Sequence, residues 1–281
     1  MEYQPITKNT ESIAQVEYSD PLVRESVKKI TEDYSHSKSI ALDTLDPNAT
    51  EGPVRGSNIY FRNKLIEIYR QLSGEDVLPI TQTQSEIALA NDTLIDPKET
   101  YEDTGLAIYP EQGYNEILWK HLRDIASSNE YKDNLDLKLP FIVTGLLNVT
   151  KDDSFEYSLR LDPTEHTLIY NVPALAKGDG SFNSNDPSLI IDGFPSFLDS
   201  NGDRNLWTES SGALRLYRGR NSNLNARGGY LDDSDDAGRV HVAKNSSGNI
   251  GSLVEELEQE QKIEKEKLRR INETLEYIKN N

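Results

Sequence analysis

The stretch 137–172, LKLPFIVTGLLNVTKDDSFEYSLRLDPTEHTLIYNV, decides the fold class. Short runs of β-branched, aromatic and leucine residues are separated by KDD at 151–153 and DPTE at 162–165, both turn-forming. Within SFEYSLRLD at 154–162, Phe155, Tyr157, Leu159 and Leu161 alternate with polar neighbours, the period-two pattern of a strand with one buried face. SLIID at 188–192, ALRLYR at 213–218 and RVHVA at 239–243 predict further strands. The spacing and turn chemistry favour an antiparallel sandwich or barrel over a parallel sheet. Residues 136–247 are therefore expected to form an antiparallel β domain.

Upstream, 20–135 is expected to be mainly helical. Asp20-Pro21 opens a helix with a capping acid followed by proline, and Leu22, Val23, Val27, Ile30 and Tyr34 give it an apolar face. A turn-rich loop follows. Ser57 is placed to cap a second helix striped by Phe61, Leu65, Ile68 and Leu72, with Gly74 as its stop. A third helix is expected at 114–127, with Ile117, Leu118, Leu122 and Ile125 inward. Between them, 75–113 suggests one short helix near SEIALAND and then loop. Residues 1–19 are polar and aperiodic, as in an extended or disordered arm. The predicted class is thus α+β: a helical N-terminal part, a β domain and a C-terminal helix.

Downstream, Ile250, Val254, Leu257, Gln261, Glu264, Leu268, Ile271, Leu275 and Ile278 recur in steps of four and three, the coiled-coil repeat. Residues 248–281 are therefore expected to form a coiled-coil helix that associates through Ile250, Val254, Leu257, Leu268, Ile271, Leu275 and Ile278. Leucine at a with isoleucine at d favours more than two strands, and a homotrimer is expected. Gln261 and Glu264 interrupt the seam, so the last two heptads carry most of the association. Docking on another protein, or packing on the chain's own β domain, are the alternatives.

The 281 residues carry a net charge of −18 with 35% hydrophobic residues. Residues 1–200 hold 34 acidic and 17 basic side chains, a field that opposes nucleic acid. The absence of cysteine excludes disulfides and thiolate chemistry. The longest apolar run, LPFIVTGLL at 139–147, is too short to span a bilayer, and the N-terminus lacks the pattern of a secretion signal.

Residues 201–250 differ, with six arginines and one lysine against six acids. Arg215, Arg218, Arg220 and Arg227 lie close to Asp232 and Asp233 of the DDSDD run. Arginine's planar fork suits carboxylates, so these residues are candidates for subunit or partner contacts, with ordinary loop ion pairs as the alternative. The four carboxylates of that run argue against a phosphate backbone as the ligand. In DSNGDRNLWTES at 199–210, Asp199, Asn201 and Asp203 stand at the first, third and fifth positions of a calcium loop. Arg204 replaces that loop's turn glycine and Ser210 its bidentate glutamate, and NGD also suits a plain hairpin turn. GDGSFNSND at 178–186 has the same ambiguity. His36, His121, His166 and His241 are scattered without metal spacing, and no nucleophile elbow, phosphate loop or dinucleotide fingerprint occurs.

These features lead to an expectation of a non-enzymatic structural protein without a cofactor, acting as a homo-oligomer with other structural proteins. A phage or virus particle component fits best, as a fibre, collar, decoration or connector protein, found in the virion or in host cytoplasm during assembly. The alternative is a carbohydrate-binding β-sandwich module on a coiled-coil stalk, calcium-assisted, with Trp207 and Tyr217 as stacking residues.

Overall fold

The computed structural model describes residues 12–94, 96–128, 131 and 135–244. The helices begin where capping chemistry allows. Asp20 accepts a hydrogen bond from the Leu22 amide (2.8 Å) to start α1, Pro21–Asp33. Its other oxygen accepts from the Tyr69 hydroxyl (3.0 Å), tying α1 to α2, Ile59–Ser73. Asn58, one residue beyond the expected Ser57, caps α2 through the Phe61 amide. Gly74 ends that helix at φ +69°, a conformation glycine adopts without steric cost. A capping box between Thr81 and Gln84 starts α3, Gln82–Ala90. The fourth helix, α4 (Glu116–Ala126), is capped in trans: the Glu156 carboxylate accepts from the amides of Ile117 and Leu118. It buries Leu118, Leu122 and Ala126, while Ile117 faces solvent.

Strands β1 (Ser12–Gln15), β12 (His241–Lys244) and β2 (Val77–Pro79) form a small antiparallel sheet in the order β1-β12-β2. A β5 (Asn148–Lys151)–β6 (Leu159–Asp162) pair stands apart. The main sheet has seven strands in the order β7-β4-β3-β10-β11-β9-β8. Its members are β3 (Glu102–Ile108), β4 (Phe141–Thr144), β7 (Leu168–Asn171), β8 (Gly180–Phe182), β9 (Arg204–Trp207), β10 (Ala213–Arg218) and β11 (Leu224–Gly228). All its pairings are antiparallel except β11 with β9.

Instead of the expected sandwich or barrel, this is one open sheet buried on both faces. Leu106, Ile108, Phe141, Val143 and Ala213 pack into one core with α1, α2 and α4. Ala107, Tyr109, Ile142, Leu214 and Leu216 pack into the other, with Leu189, Phe194 and Leu206. Double burial explains why β3 shows no alternation in sequence. It also explains how a strand taken for loop, on the far side of residue 135, comes to lie near the centre of the sheet. The strands on either side of 135/136 share one ladder, so the expected division into a helical part and a β domain does not separate the folded chain; the described residues up to Lys244 cluster as one unit.

Other differences are local. SLIID holds a short helix, α5 (Leu189–Asp192), since Asp186 draws the amide and hydroxyl of Ser188 into a turn just ahead of it. In SFEYSLRLD only β6 is strand; Tyr157 and Ser158 turn left-handed ahead of it (φ 60° and 55°). No described helix is long and apolar enough to cross a membrane.

Candidate functional site

One defect in the β3–β10 ladder organises the site. Leu216 pairs with Gly105 and Tyr217 with Asp103, which leaves Thr104 as an extra residue, a β-bulge. Without it, Asp103 would share a face with Gly105 and Ala107. With it, the carboxylate turns to the face of Leu106, where Arg215 stands opposite. Asp103 and Arg215 form a two-pronged ion pair, Nε to Oδ1 at 2.7 Å and Nη2 to Oδ2 at 2.9 Å. The Ser57 hydroxyl donates to the same carboxylate (2.9 Å), and the Ser57 carbonyl accepts from Arg215 (3.1 Å). The guanidinium lies 4.8 Å from the ring centre of Tyr217 and 5.4 Å from that of Tyr101. Burial pulls the Arg215 pKa down, and the adjoining Asp103 charge more than offsets it, so the net shift is upward.

More charge is buried nearby. Arg204 and Glu86 pair through two bonds of 2.6 and 2.8 Å, and Gln82 links Glu86 to Thr104. Glu102 accepts from the His241 amide (2.6 Å) and meets its Nδ1 (2.6 Å). Arg62 donates to the Asp103 carbonyl. Arg218, opposite Glu102 in the ladder and 0% exposed, donates to the Pro97 carbonyl (2.9 Å), and burial lowers its pKa. These are internal locks, and their geometry is too closed for a partner to reach Arg218 or most of Arg215.

The arginines of the 214–239 stretch therefore separate. Arg215 and Arg218 belong to the interior, where they were expected to make subunit or partner contacts; the bulge and the two-sided burial put them there. Arg220 and Arg227 remain at the surface, Arg220 3.5 Å from Asp235 and Arg227 3.1 Å from Asp179. Arg227 also covers Trp207, and Tyr217 lies against Arg215 and Tyr101, so the two expected stacking residues are already engaged.

Above the Asp103–Arg215 pair, the 230–235 loop is pinned from below. The Asn58 side-chain Nδ2 donates to the Asp232 carbonyl (3.0 Å), and the Ser57 backbone amide to the Ser234 hydroxyl (3.1 Å). Tyr157 accepts from the Leu231 amide (3.2 Å), and Tyr101 from the Asp235 amide (2.9 Å). Asp233, 76% exposed, stands 3.7 Å from Nη1 of Arg215. Burial raises the Asp232 pKa. The loop walls an open cavity of about 450 Å³ shared with Lys38, Asp43 and Thr44. The sequence offered Asp232 and Asp233 as contact residues, but not their pairing with 38–44, some 190 positions away.

Asp199 and Asp203 of the expected calcium loop are each engaged within the chain. Asp199 accepts from the amides of Ser200 and Asn201, and Asp203 from the amide and hydroxyl of Ser184. Gly202 between them lies against the Phe182 backbone, where no side chain would fit. Among the described residues no three His, Cys, Asp or Glu side chains gather as a metal site. His121 and His241 occupy the expected helix and strand, paired with Asp162 and Glu102. The heptad positions from Ile250 to Ile278 lie outside the described residues. No family model matches the chain, and neither a curated protein nor a solved structure matches it.

Proposed function

We propose that the chain is a non-enzymatic structural subunit that works as a homo-oligomer, with a trimer favoured, in contact with other structural proteins. The heptad spacing from Ile250 to Ile278 carries this reading, because a stripe that narrow needs a partner helix to bury it. Ahead of that stripe, the unit ending at Lys244 is closed by ion pairs and buried on both faces of its sheet. Ile190, Ile191 and Phe197 on and after α5, and Tyr114 and Ile117 at the start of α4, offer exposed apolar contact area. Such a body with an oligomerising segment suits a phage or virus particle as a fibre, collar, decoration or connector protein, present in the virion and in host cytoplasm during assembly.

The test is the mass of the full chain in solution, by light scattering. The expected value is about three times the 31.7 kDa of one chain. Substituting Leu268→Asp together with Leu275→Asp is expected to yield monomers with unchanged thermal stability of the folded unit. A full chain that is monomeric at all concentrations overturns the reading.

A further inference from the structure

Two open cavities meet at Lys38, which lines both. The first, about 450 Å³, has Thr44, Tyr230, Asp232 and Asp233 on its walls. The second, about 310 Å³, continues past Ser37 and Ser39 to Tyr157 and Ser158. They flank residues 37–44 on two sides, the first as a polar groove against the 230–234 loop and the second against the 157–158 turn.

Its chemistry is selective. Tyr230 is 77% exposed, the most exposed large apolar side chain among the described residues. Its loop is nevertheless held: the next amide bonds to Tyr157, and Gly229 on the other side lies under the Tyr114 ring. A bare aromatic ring on a pinned loop is a preformed platform. Tyr157 and Ser158 keep left-handed backbone angles that non-glycine residues rarely hold (φ 60° and 55°), a strain that concentrates at binding sites. Behind the wall, the Tyr60 hydroxyl is fully buried without a hydrogen-bond partner, its ring 5.6 Å from that of Tyr157.

The groove is modestly acidic. Asp43 is paired with Lys38 at 3.1 Å, and Asp233 stands 3.7 Å from Arg215, whose charge is already taken up by Asp103. Asp232 is partly withdrawn from solvent, where burial favours its neutral form. An anion meets three carboxylates, those of Asp43, Asp232 and Asp233, and the Lys38 charge beside them is taken up by Asp43. What remains is an array of hydroxyl and carboxylate groups that exchange hydrogen bonds with alcohols, beside a ring suited to C–H faces.

We propose that this groove binds a neutral oligosaccharide, with one sugar face on Tyr230 and its hydroxyls on Thr44, Asp232 and Asp233. The site lies within one chain and does not depend on oligomerisation; in a trimer three grooves would add avidity to a weak single contact.

Calorimetric titration of the full chain with three neutral hexasaccharides, of β-linked glucose, α-linked glucose and β-linked N-acetylglucosamine, tests it, with hexalysine as the charged comparison. At least one sugar is expected to bind with Kd of about 1 mM or tighter, insensitive to salt. Tyr230→Ala is expected to weaken it by about tenfold or more, and Asp233→Asn by a smaller factor, with the oligomer mass unchanged. Binding of none of the sugars at about 10 mM overturns the proposal. So does sugar binding that survives Tyr230→Ala, or salt-sensitive hexalysine binding lost in Asp233→Asn, which would assign the groove to a basic protein partner. Because Tyr230 is exposed, the variant's thermal midpoint should match the parent's, which separates lost binding from lost folding.

Discussion

The two halves of the β3–β10 ladder are both largely buried, Tyr217 being half-buried, and are held by opposite means. From Gly105 to Ile108, opposite Ala213 to Leu216, the strands are held mainly by apolar side chains on both faces. From Glu102 to Thr104, opposite Tyr217 and Arg218, ion pairs and hydrogen bonds replace them, with Arg215 reaching along the sheet from the apolar half to Asp103. The apolar half would tolerate many substitutions of similar volume, since dispersion and burial are not directional. The charged half depends on particular atoms: a carboxylate aimed by a one-residue bulge at one guanidinium. Hydrophobicity fixes the first half broadly, and geometry fixes the second narrowly.

That contrast can be broken most sharply at Asp103. Asp103→Ala strands the buried Arg215 without its counter-charge and is expected to destabilise the fold by about 3–5 kcal/mol in urea denaturation. Leu214→Ala, in the apolar half, leaves a cavity and is expected to cost about 2–4 kcal/mol in the same measurement. If the Asp103 variant proves the milder of the two, the charged half is not the more demanding one. Tyr60→Phe removes an unpartnered buried hydroxyl and is expected to raise stability by about 1 kcal/mol. A loss there would reveal a hydrogen bond to solvent or ligand. The solvent-exposed Lys120–Asp124 pair is the outer limit: Lys120→Ala should shift stability by less than about 0.5 kcal/mol.

A pH series sharpens the same comparison at two loop carboxylates. Hydrogen bonds from the Ser184 hydroxyl and amide hold Asp203 below the usual carboxylate range. Its contribution is therefore present above the unfolded-state pKa and lost as pH falls through the folded one. Asp232, raised by burial, acts in reverse: its contribution is present below the unfolded-state pKa and lost as pH rises through the folded one. Denaturation from pH 3 to 7 should show a shallower acid loss for Asp203→Asn and a steeper net gain towards pH 7 for Asp232→Asn.

Much of the helical layer was legible because its signals are local. Asp20-Pro21, Gly74 and the SEIALAND run each act within one turn of the chain, and the helices form there. The strands at 141–144, 148–151, 168–171 and 213–218 were legible from β-branched and aromatic content. EDTGLAI at 102–108 was not, because a strand covered on both faces carries no period-two pattern and begins with two acids. The same limit hid the site. Arg215 and Arg218 look like surface residues in a polar stretch, and nothing near them in sequence names Asp103 or Glu102 as their neighbours. Asp232 and Asp233 could be singled out from composition, whereas Lys38, Asp43 and Thr44 carry no signal that they share a cavity with them.

By itself, the sequence determined where most helices start and stop, the α+β class, the absence of thiol chemistry and the heptad spacing near the C-terminus. These follow from backbone capping, side-chain periodicity and composition, which act over a few residues. Only the tertiary structure decided that strands from both sides of residue 135 share one sheet. It likewise placed two of the four candidate arginines inside and brought the 38–44 and 230–234 loops together as a groove. Those outcomes depend on a one-residue bulge and on pairings more than 100 positions apart, where the energy lies in mutual geometry and not in any residue's own preference.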